Sequence, residues 1–311
     1  LVATYQFNIV FGILIAFVSN ALLAKYISND AWRWMIGIEA LPAIIYTVMM
    51  FAIPESPRWL ITAKNNIEAA KQVFRSLYDN EGDIVEQVNL IVNSQKSTDD
   101  AESIFSKKYG IPLSLAFFIA FFNQFSGINA ILYYANRIFA EAGLAEQAGA
   151  LGSIGLGITN FVFTLLGMFL IDRLGRKQLL YIGSVGYIVS LSIVSLCFYN
   201  DWSGMIVPIS LFAFIASHAI GQGAVIWVFI SEIFPNHLRS SGQAFGSSVH
   251  WVLAAIIPSL VPILFNSIGA VTVFAIFAFM MLLQLVWIKM YVPETKGKSL
   301  EAVSESLTNS N

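Results

Sequence analysis

Long apolar stretches separated by short polar punctuation run through most of this chain. A helix needs roughly 20 mostly apolar residues to cross a bilayer. Windows of that kind predict eight spans, at about 4–25, 33–53, 111–135, 149–171, 178–198, 204–232, 241–265 and 268–291. Between the second and third the pattern changes. Acidic side chains crowd into residues 54–110, and the apolar positions there fall along one stripe at helical spacing: Ile67, Ala70, Val73, Phe74 and Leu77, then Ile84 to Val92. This segment predicts two or three short amphipathic helices outside the membrane, with a disordered linker as the alternative. The polar run Ser94–Ser103 predicts a loop. The expected division is therefore 1–53, two spans; 54–110, a helical insert; 111–292, six spans with tight turns; and 293–311, a polar tail.

Composition turns this pattern into a class. Hydrophobic residues make up 57% of the chain and charged residues 12%, with a mean hydropathy of +0.71. That composition implies an all-α integral membrane protein with the lipid bilayer as its solvent. A net charge of −2 gives no reason to expect a nucleic-acid partner. The single cysteine, Cys197, lies in a span and reads as a small hydrophobe. His218, His237 and His250 are far apart in sequence, without ligand spacing, and neither a nucleophile–base pair nor a phosphate loop is evident. No enzyme activity, metal or cofactor is expected. A cleavable leader is not apparent, and because the chain opens almost inside a span without Met, residue 1 is expected not to be the native start.

Basic residues set the expected orientation. Arg58, Lys64, Lys71, Arg75, Lys96, Lys107 and Lys108 fall on the same side as Arg173, Arg176, Lys177, Arg239, Lys289, Lys296 and Lys298. Only Lys25, Arg33 and Arg137 fall on the other. The positive-inside rule makes the basic side cytoplasmic, the 54–110 insert and the C-terminus included.

Polar side chains within spans are costly and by default line a pathway or a packed interior. Gln6, Glu39, Asn123, Gln124, Asn129, Asn160 and His250 are such positions, and Trp227 and Trp251 lie in spans beside them. Amides both donate and accept hydrogen bonds, which suits a neutral polyhydroxyl ligand, and an indole offers a flat face to C–H groups. Interhelical hydrogen bonding and interfacial anchoring are the plainer alternatives. On a regular helix Gln124 and Asn129 would point about 140° apart, so one ligand could face both only if the helix breaks, and Ser126-Gly127 is the expected break. A second group is ionic: Asp172, Arg173, Arg176 and Lys177 in one turn, Glu232 and Arg239 around another, and Glu55 with Arg58 at a third. It reads as a charge network, or as basic anchoring alone.

Five motifs carry a family resemblance. They are Pro54-Glu55-Ser56-Pro57-Arg58-Trp59-Leu60, Gln124-Phe125-Ser126-Gly127-Ile128-Asn129-Ala130, Asp172-Arg173-Leu174-Gly175-Arg176-Lys177, Trp227 with Ser231-Glu232-Ile233-Phe234-Pro235, and Pro293-Glu294-Thr295-Lys296-Gly297. In this order and at these span ends, they make the chain resemble the sugar porters of the major facilitator superfamily over essentially its whole length. The resemblance implies twelve helices in two bundles, of which these eight look like the fifth to the twelfth; the first four, helices of the same chain, would then be missing. It implies alternating access for a monosaccharide or polyol, with Gln6, Asn123, Gln124, Asn129, Asn160, Trp227, His250 and Trp251 at positions similar to sugar contacts. It also implies a seventh helix broken near Gly127 and cytoplasmic ion pairs that hold one state. Glu39 resembles a carboxyl found in proton-coupled members, which points to symport with protons; a facilitator remains the alternative, and a sugar sensor on the same scaffold a further one. The implied location is a plasma membrane, of the bacterial inner-membrane type. One departure stands out. Similar proteins have a Gly-Pro-Gly-Pro-type run before the tryptophan, whereas this chain reads Gly221-Gln222-Gly223-Ala224-Val225-Ile226-Trp227, without a proline to kink the helix.

Overall fold

The computed structural model describes residues 2–27, 29–96, 103–146, 148–202 and 204–308. Helices account for nearly all of them: α1 Val2–Tyr26, α2 Ala31–Gly37, α3 Ala40–Met50, α4 Pro57–Thr62, α5 Ile67–Phe74, α6 Glu81–Lys96, α7 Gly110–Phe125, α8 Ile128–Glu141, α9 Ala148–Ala150, α10 Leu156–Leu174, α11 Arg176–Tyr199, α12 Ile206–His218, α13 Ala224–Ile233, α14 Arg239–Tyr291 and α15 Leu300–Thr308. No strand occurs among the described residues. Among the described residues, seven helical stretches are long and apolar enough to cross a bilayer. The last of them, α14, is 53 residues long and has a non-helical residue, Gly269 at φ 80° and ψ 158°. At 1.5 Å per residue a straight helix of that length would be about 80 Å long, far beyond a hydrocarbon core of roughly 30 Å. Gly269 divides it into two arms, which raises the count of crossings to the eight expected.

Four of the expected spans are composite rather than continuous. The 33–53 span is interrupted between α2 and α3, where Glu39 precedes the first turn of α3. The 111–135 span breaks between α7 and α8, as its Ser-Gly pair predicts. Short π-helical turns, Leu151–Gly155 and Ala219–Gly223, precede α10 and α13. The second occupies the run from which the proline is absent: a wide turn, rather than a proline, makes the irregularity.

Contacts divide the chain into two compact units, Leu1–Ser28 with Ile104–Asn311, and Asn29–Ser103. The line falls differently from the expected 1–53 grouping, because α1 packs on α10 through Phe7, Phe11 and Phe161. In the smaller unit, α4, α5 and α6 form the helical insert around Leu60, Ile61, Ala70, Phe74, Ile84 and Val88. Asn66 caps α5 by accepting from the Ala69 amide at 3.0 Å. Residues 94–96 of the expected loop belong to α6, and 97–102 lie outside the described residues. The polar tail contains a helix, α15, which packs on α7 and α13 and buries Val303 and Leu307.

Small residues let the larger unit close. The π-turn at Ala219–Gly223 is wedged between α10 and α11. A Cβ on Gly167 would lie 2.8 Å from the Ala219 carbonyl oxygen, and one on Gly221 would lie 2.9 Å from the Gly183 Cα. Hydrocarbon supplies no hydrophobic drive between helices, so close approach of backbones does the packing. Gly221→Ala should therefore force backbones apart and cost about 1–3 kcal/mol. The expected result in detergent is a clear fall in thermal midpoint, against none for Gly110→Ala, where an added Cβ meets nothing within 4 Å.

Candidate functional site

The break between α7 and α8 builds the centre of the larger unit. Gly127 has φ 83°, a left-handed conformation that glycine adopts without strain, and a Cβ there would lie 2.6 Å from the Phe277 ring. Ser126 secures the corner: its hydroxyl donates to the Asn123 carbonyl at 2.6 Å and accepts from the Ile128 amide at 3.3 Å. The turn cancels the angular separation that a regular helix would impose on the two flanking amides. Asn129 Nδ2 donates to Gln124 Oε1 at 2.9 Å. Gln124 Nε2 donates to Asn123 Oδ1 at 3.1 Å and lies 3.2–3.3 Å from the two ring nitrogens of His250.

These side chains line one cavity of about 370 Å³, within the roughly 300–1,000 Å³ typical of small-molecule sites. The structure brings together all eight positions that the sequence marks for substrate: Gln6 from α1, Asn123 and Gln124 from α7, Asn129 from α8, Asn160 from α10, Trp227 from α13, and His250 and Trp251 from α14. Asn123, Gln124, Asn160 and Trp227 are buried, whereas Trp251 is exposed. His250 stands between the two indoles, with ring centroids 5.0 Å from each. Gln6 and Asn160 have no hydrogen-bond partner among the described residues, which leaves both amides available on the cavity wall. Ile9, Val10, Ile13 and Phe17 of α1 form an apolar side. The site therefore offers donors and acceptors on some walls and flat or aliphatic surface on others, with no charged side chain among its lining residues.

Tyr133, His218 and Gly223 also line the cavity but escape the sequence reading. Tyr133 is four residues after Asn129, on the same helical face, so spacing could have found it. His218 is nine residues before Trp227, and on a regular helix the two would point about 180° apart. The π-turn takes up an extra residue and brings both onto one cavity. Two of the three histidines thus share a site despite their separation in sequence.

At one end of the same unit the charges converge. Arg176 forks onto Glu232, with Nη2 donating to Oε1 at 2.7 Å and Nε to Oε2 at 3.1 Å. Its Nη1 reaches Asp172 Oδ1 at 3.3 Å and the Ile171 carbonyl at 3.2 Å. Thr295 Oγ1 donates to Glu232 Oε2 at 2.6 Å. Glu294, absent from the expected network, is central to the neighbouring turn: its carboxylate accepts from the backbone amides of Arg176 and Lys177 at 3.0 Å each and so caps α11. Gly175, at φ 90°, leaves room for it, since a Cβ there would lie 2.6 Å from Glu294 Oε2. Lys296 Nζ donates to the Arg173 carbonyl at 2.6 Å. Other expected members turn elsewhere. The Arg173 guanidinium lies over Phe169, and Arg239 donates to Asn236 rather than to a carboxylate. Lys177 contributes its backbone amide. Glu39, Glu55 and Arg58 belong to the smaller unit, where all three are exposed, and Glu39 makes no ion pair among the described residues.

An all-helical membrane bundle whose broken helix presents ordered amides to a central cavity is the architecture of a membrane transporter for a small polar solute. The chain belongs to the family described as "Sugar (and other) transporter", whose sequence model matches residues 1–307. The glucose transporter GlcP of Staphylococcus epidermidis is 34% identical over 306 residues, covering 97% of this chain and 68% of that protein. The D-xylose-proton symporter of Escherichia coli K12 is 30% identical over 314 residues, covering 97% of this chain and 63% of that protein. A solved structure of the proton:xylose symporter XylE bound to 6-bromo-6-deoxy-D-glucose superposes with a TM-score of 0.80 at 28% identity, covering 98% of this chain and 66% of that one. An inward-open XylE structure from E. coli gives 0.77 at 28% identity, covering 97% and 64%. The fold is that of the major facilitator superfamily, and this chain spans about two thirds of the length of these relatives.

Two tests follow from the geometry. Gly127→Ala combines a strained φ with a ring contact and should cost roughly 1–3 kcal/mol; the expected readouts are a lower thermal midpoint and loss of ligand binding at the cavity. Arg176→Met leaves the Glu232 carboxylate half-buried without its cation and should cost about 3–5 kcal/mol. Glu294→Ala removes only a cap and should cost about 0.5–2 kcal/mol. Thermal unfolding should therefore rank Arg176→Met well below Glu294→Ala, and both below the parent protein.

Proposed function

We propose that this chain forms the sugar-binding bundle, and part of the moving machinery, of a proton-coupled transporter that carries a monosaccharide or related polyol by alternating access. The observation that carries the reading is the set Gln124–Asn129–His250, ordered by its own hydrogen bonds around the Gly127 break and opening on a cavity with two indoles. Amides held in place before binding lose little freedom when they meet a ring of hydroxyl groups. Indole faces take the C–H side of such a ring, and the lack of a charged lining residue suits a neutral solute. Similarity to a D-xylose-proton symporter and to XylE supports proton coupling. Glu39, in an apolar stretch interrupted at that residue, is the candidate proton carrier within this chain. The Arg176–Glu232–Asp172 cluster with Glu294 ties together helix ends on the cytoplasmic face of a plasma membrane. It favours the state in which those ends are joined. The partners are the sugar, protons, the surrounding lipid and further helices of the same transporter.

The test is uptake by the native protein in proteoliposomes with an imposed pH difference, across a panel of glucose, xylose and arabinose. Accumulation of at least one sugar that follows the pH difference is the expected result; uptake that only equilibrates, whatever the pH difference, would establish the facilitator instead. Glu39→Gln should abolish accumulation while leaving binding and exchange intact, because exchange needs no net proton release. Gln124→Ala, Asn129→Ala and Trp227→Ala should each weaken binding roughly tenfold, the scale of one lost partner in a buried site. Unchanged affinity in all three, with normal expression, would reduce the cavity to packing.

A further inference from the structure

We propose that His218 is a further substrate-positioning residue, locked by Tyr187 into the tautomer that presents an Nε2–H donor to a sugar hydroxyl oxygen. The proposal rests on the sugar-transport reading and assigns a specificity contact within it. Tyr187, on α11, is fully buried, and its hydroxyl lies 2.7 Å from His218 Nδ1. A buried O–H that keeps its proton unused is costly, whereas an ether-like lone pair left unfilled is less so. The His218 ring is the hydroxyl's only partner among the described residues, so the phenol donates and Nδ1 accepts. The neutral ring then carries its proton on Nε2.

The other edge of that ring borders the cavity. A Cβ built on Gly223 would lie 3.3 Å from His218 Cδ2 and 3.6 Å from Nε2, and Gly223 and His218 both line the cavity. Glycine at 223 therefore leaves no side chain between the imidazole edge and the ligand space. Nε2 has no protein partner among the described residues. The Phe214 ring packs beside that of Tyr187, with centroids 5.2 Å apart. The arrangement repeats the logic by which an outer hydrogen bond selects the functional nitrogen of a histidine. His250, across the same site, is ordered differently, by an amide facing both ring nitrogens. The two histidines thus give the cavity one fixed donor and one adaptable group.

The experiment has two arms on the native protein. In the first, nitrogen NMR of ¹⁵N-histidine-labelled protein, with the three histidines assigned by substitution, reads the His218 tautomer. The expected result is Nε2–H in the parent and a mixed tautomer in Tyr187→Phe; Nδ1–H in the parent overturns the proposal. In the second, binding of the best-bound sugar of the panel is compared with its monodeoxy analogues. His218→Phe should weaken the parent sugar roughly tenfold but leave one analogue, lacking the hydroxyl that His218 meets, bound as by the parent protein. Equal weakening across all analogues, or none, overturns the proposal. Should His218→Phe fold poorly because Tyr187 loses its partner, the double variant His218→Phe/Tyr187→Phe removes both polar groups and is read the same way. A parent protein that binds no sugar overturns the transport reading beneath; a parent that binds sugar while His218→Phe binds every analogue as well overturns this inference alone.

Discussion

Hydrocarbon offers no hydrogen bonds, so a chain crossing it must satisfy every backbone amide and carbonyl internally, and a regular helix is how this chain does so. A regular helix, however, distributes its side chains around a full circle and cannot aim several polar groups at one point. The structure resolves this conflict at two places. At Gly127 a single left-handed residue starts a new helix, and Ser126 takes up the amide and carbonyl that the break exposes. At Ala219–Gly223 a π-turn changes the helical phase without leaving the helix. Both irregularities lie against the cavity, which Ile128 and Gly223 help to line.

The same economy explains the site's composition. Its amides bond to one another before any ligand arrives, so none of Asn123, Gln124 or Asn129 is an orphan in an apolar setting. Yet each retains capacity, since an amide has two donors and two acceptor lone pairs. A half-satisfied network of neutral groups is compatible with an empty cavity; charged groups there would each carry a desolvation cost of several kcal/mol. The unit's most extensive charge cluster lies instead at one end of the bundle. There Arg176 is enclosed by two carboxylates and a carbonyl, and the α11 N-terminus is covered by Glu294. Two sequence motifs far apart along the chain interlock at this point. Gly175 makes the space, and the Pro-Glu-Thr-Lys-Gly segment fills it.

Bilayer thickness and helix rise are fixed lengths, so the spans, the all-α class and the interposed insert follow from the linear order of apolar residues alone. Local chemistry is equally visible from sequence when it acts within a few residues: the Ser126-Gly127 corner, the amides on either side of it, and the amphipathic stripe of Ile67 to Leu77. What the linear pattern lacks is phase and partner. His218 is hidden because a π-turn overrides the helical period between it and Trp227. Glu294 reads as punctuation because its role as a cap exists only where α11 begins, more than a hundred residues earlier in the chain. Arg239, an apparent member of the charge cluster, takes Asn236 instead. These three outcomes depend on distances between segments remote in sequence, which only the packed bundle sets, and the tautomer of His218 depends on Tyr187 of a neighbouring helix in the same way.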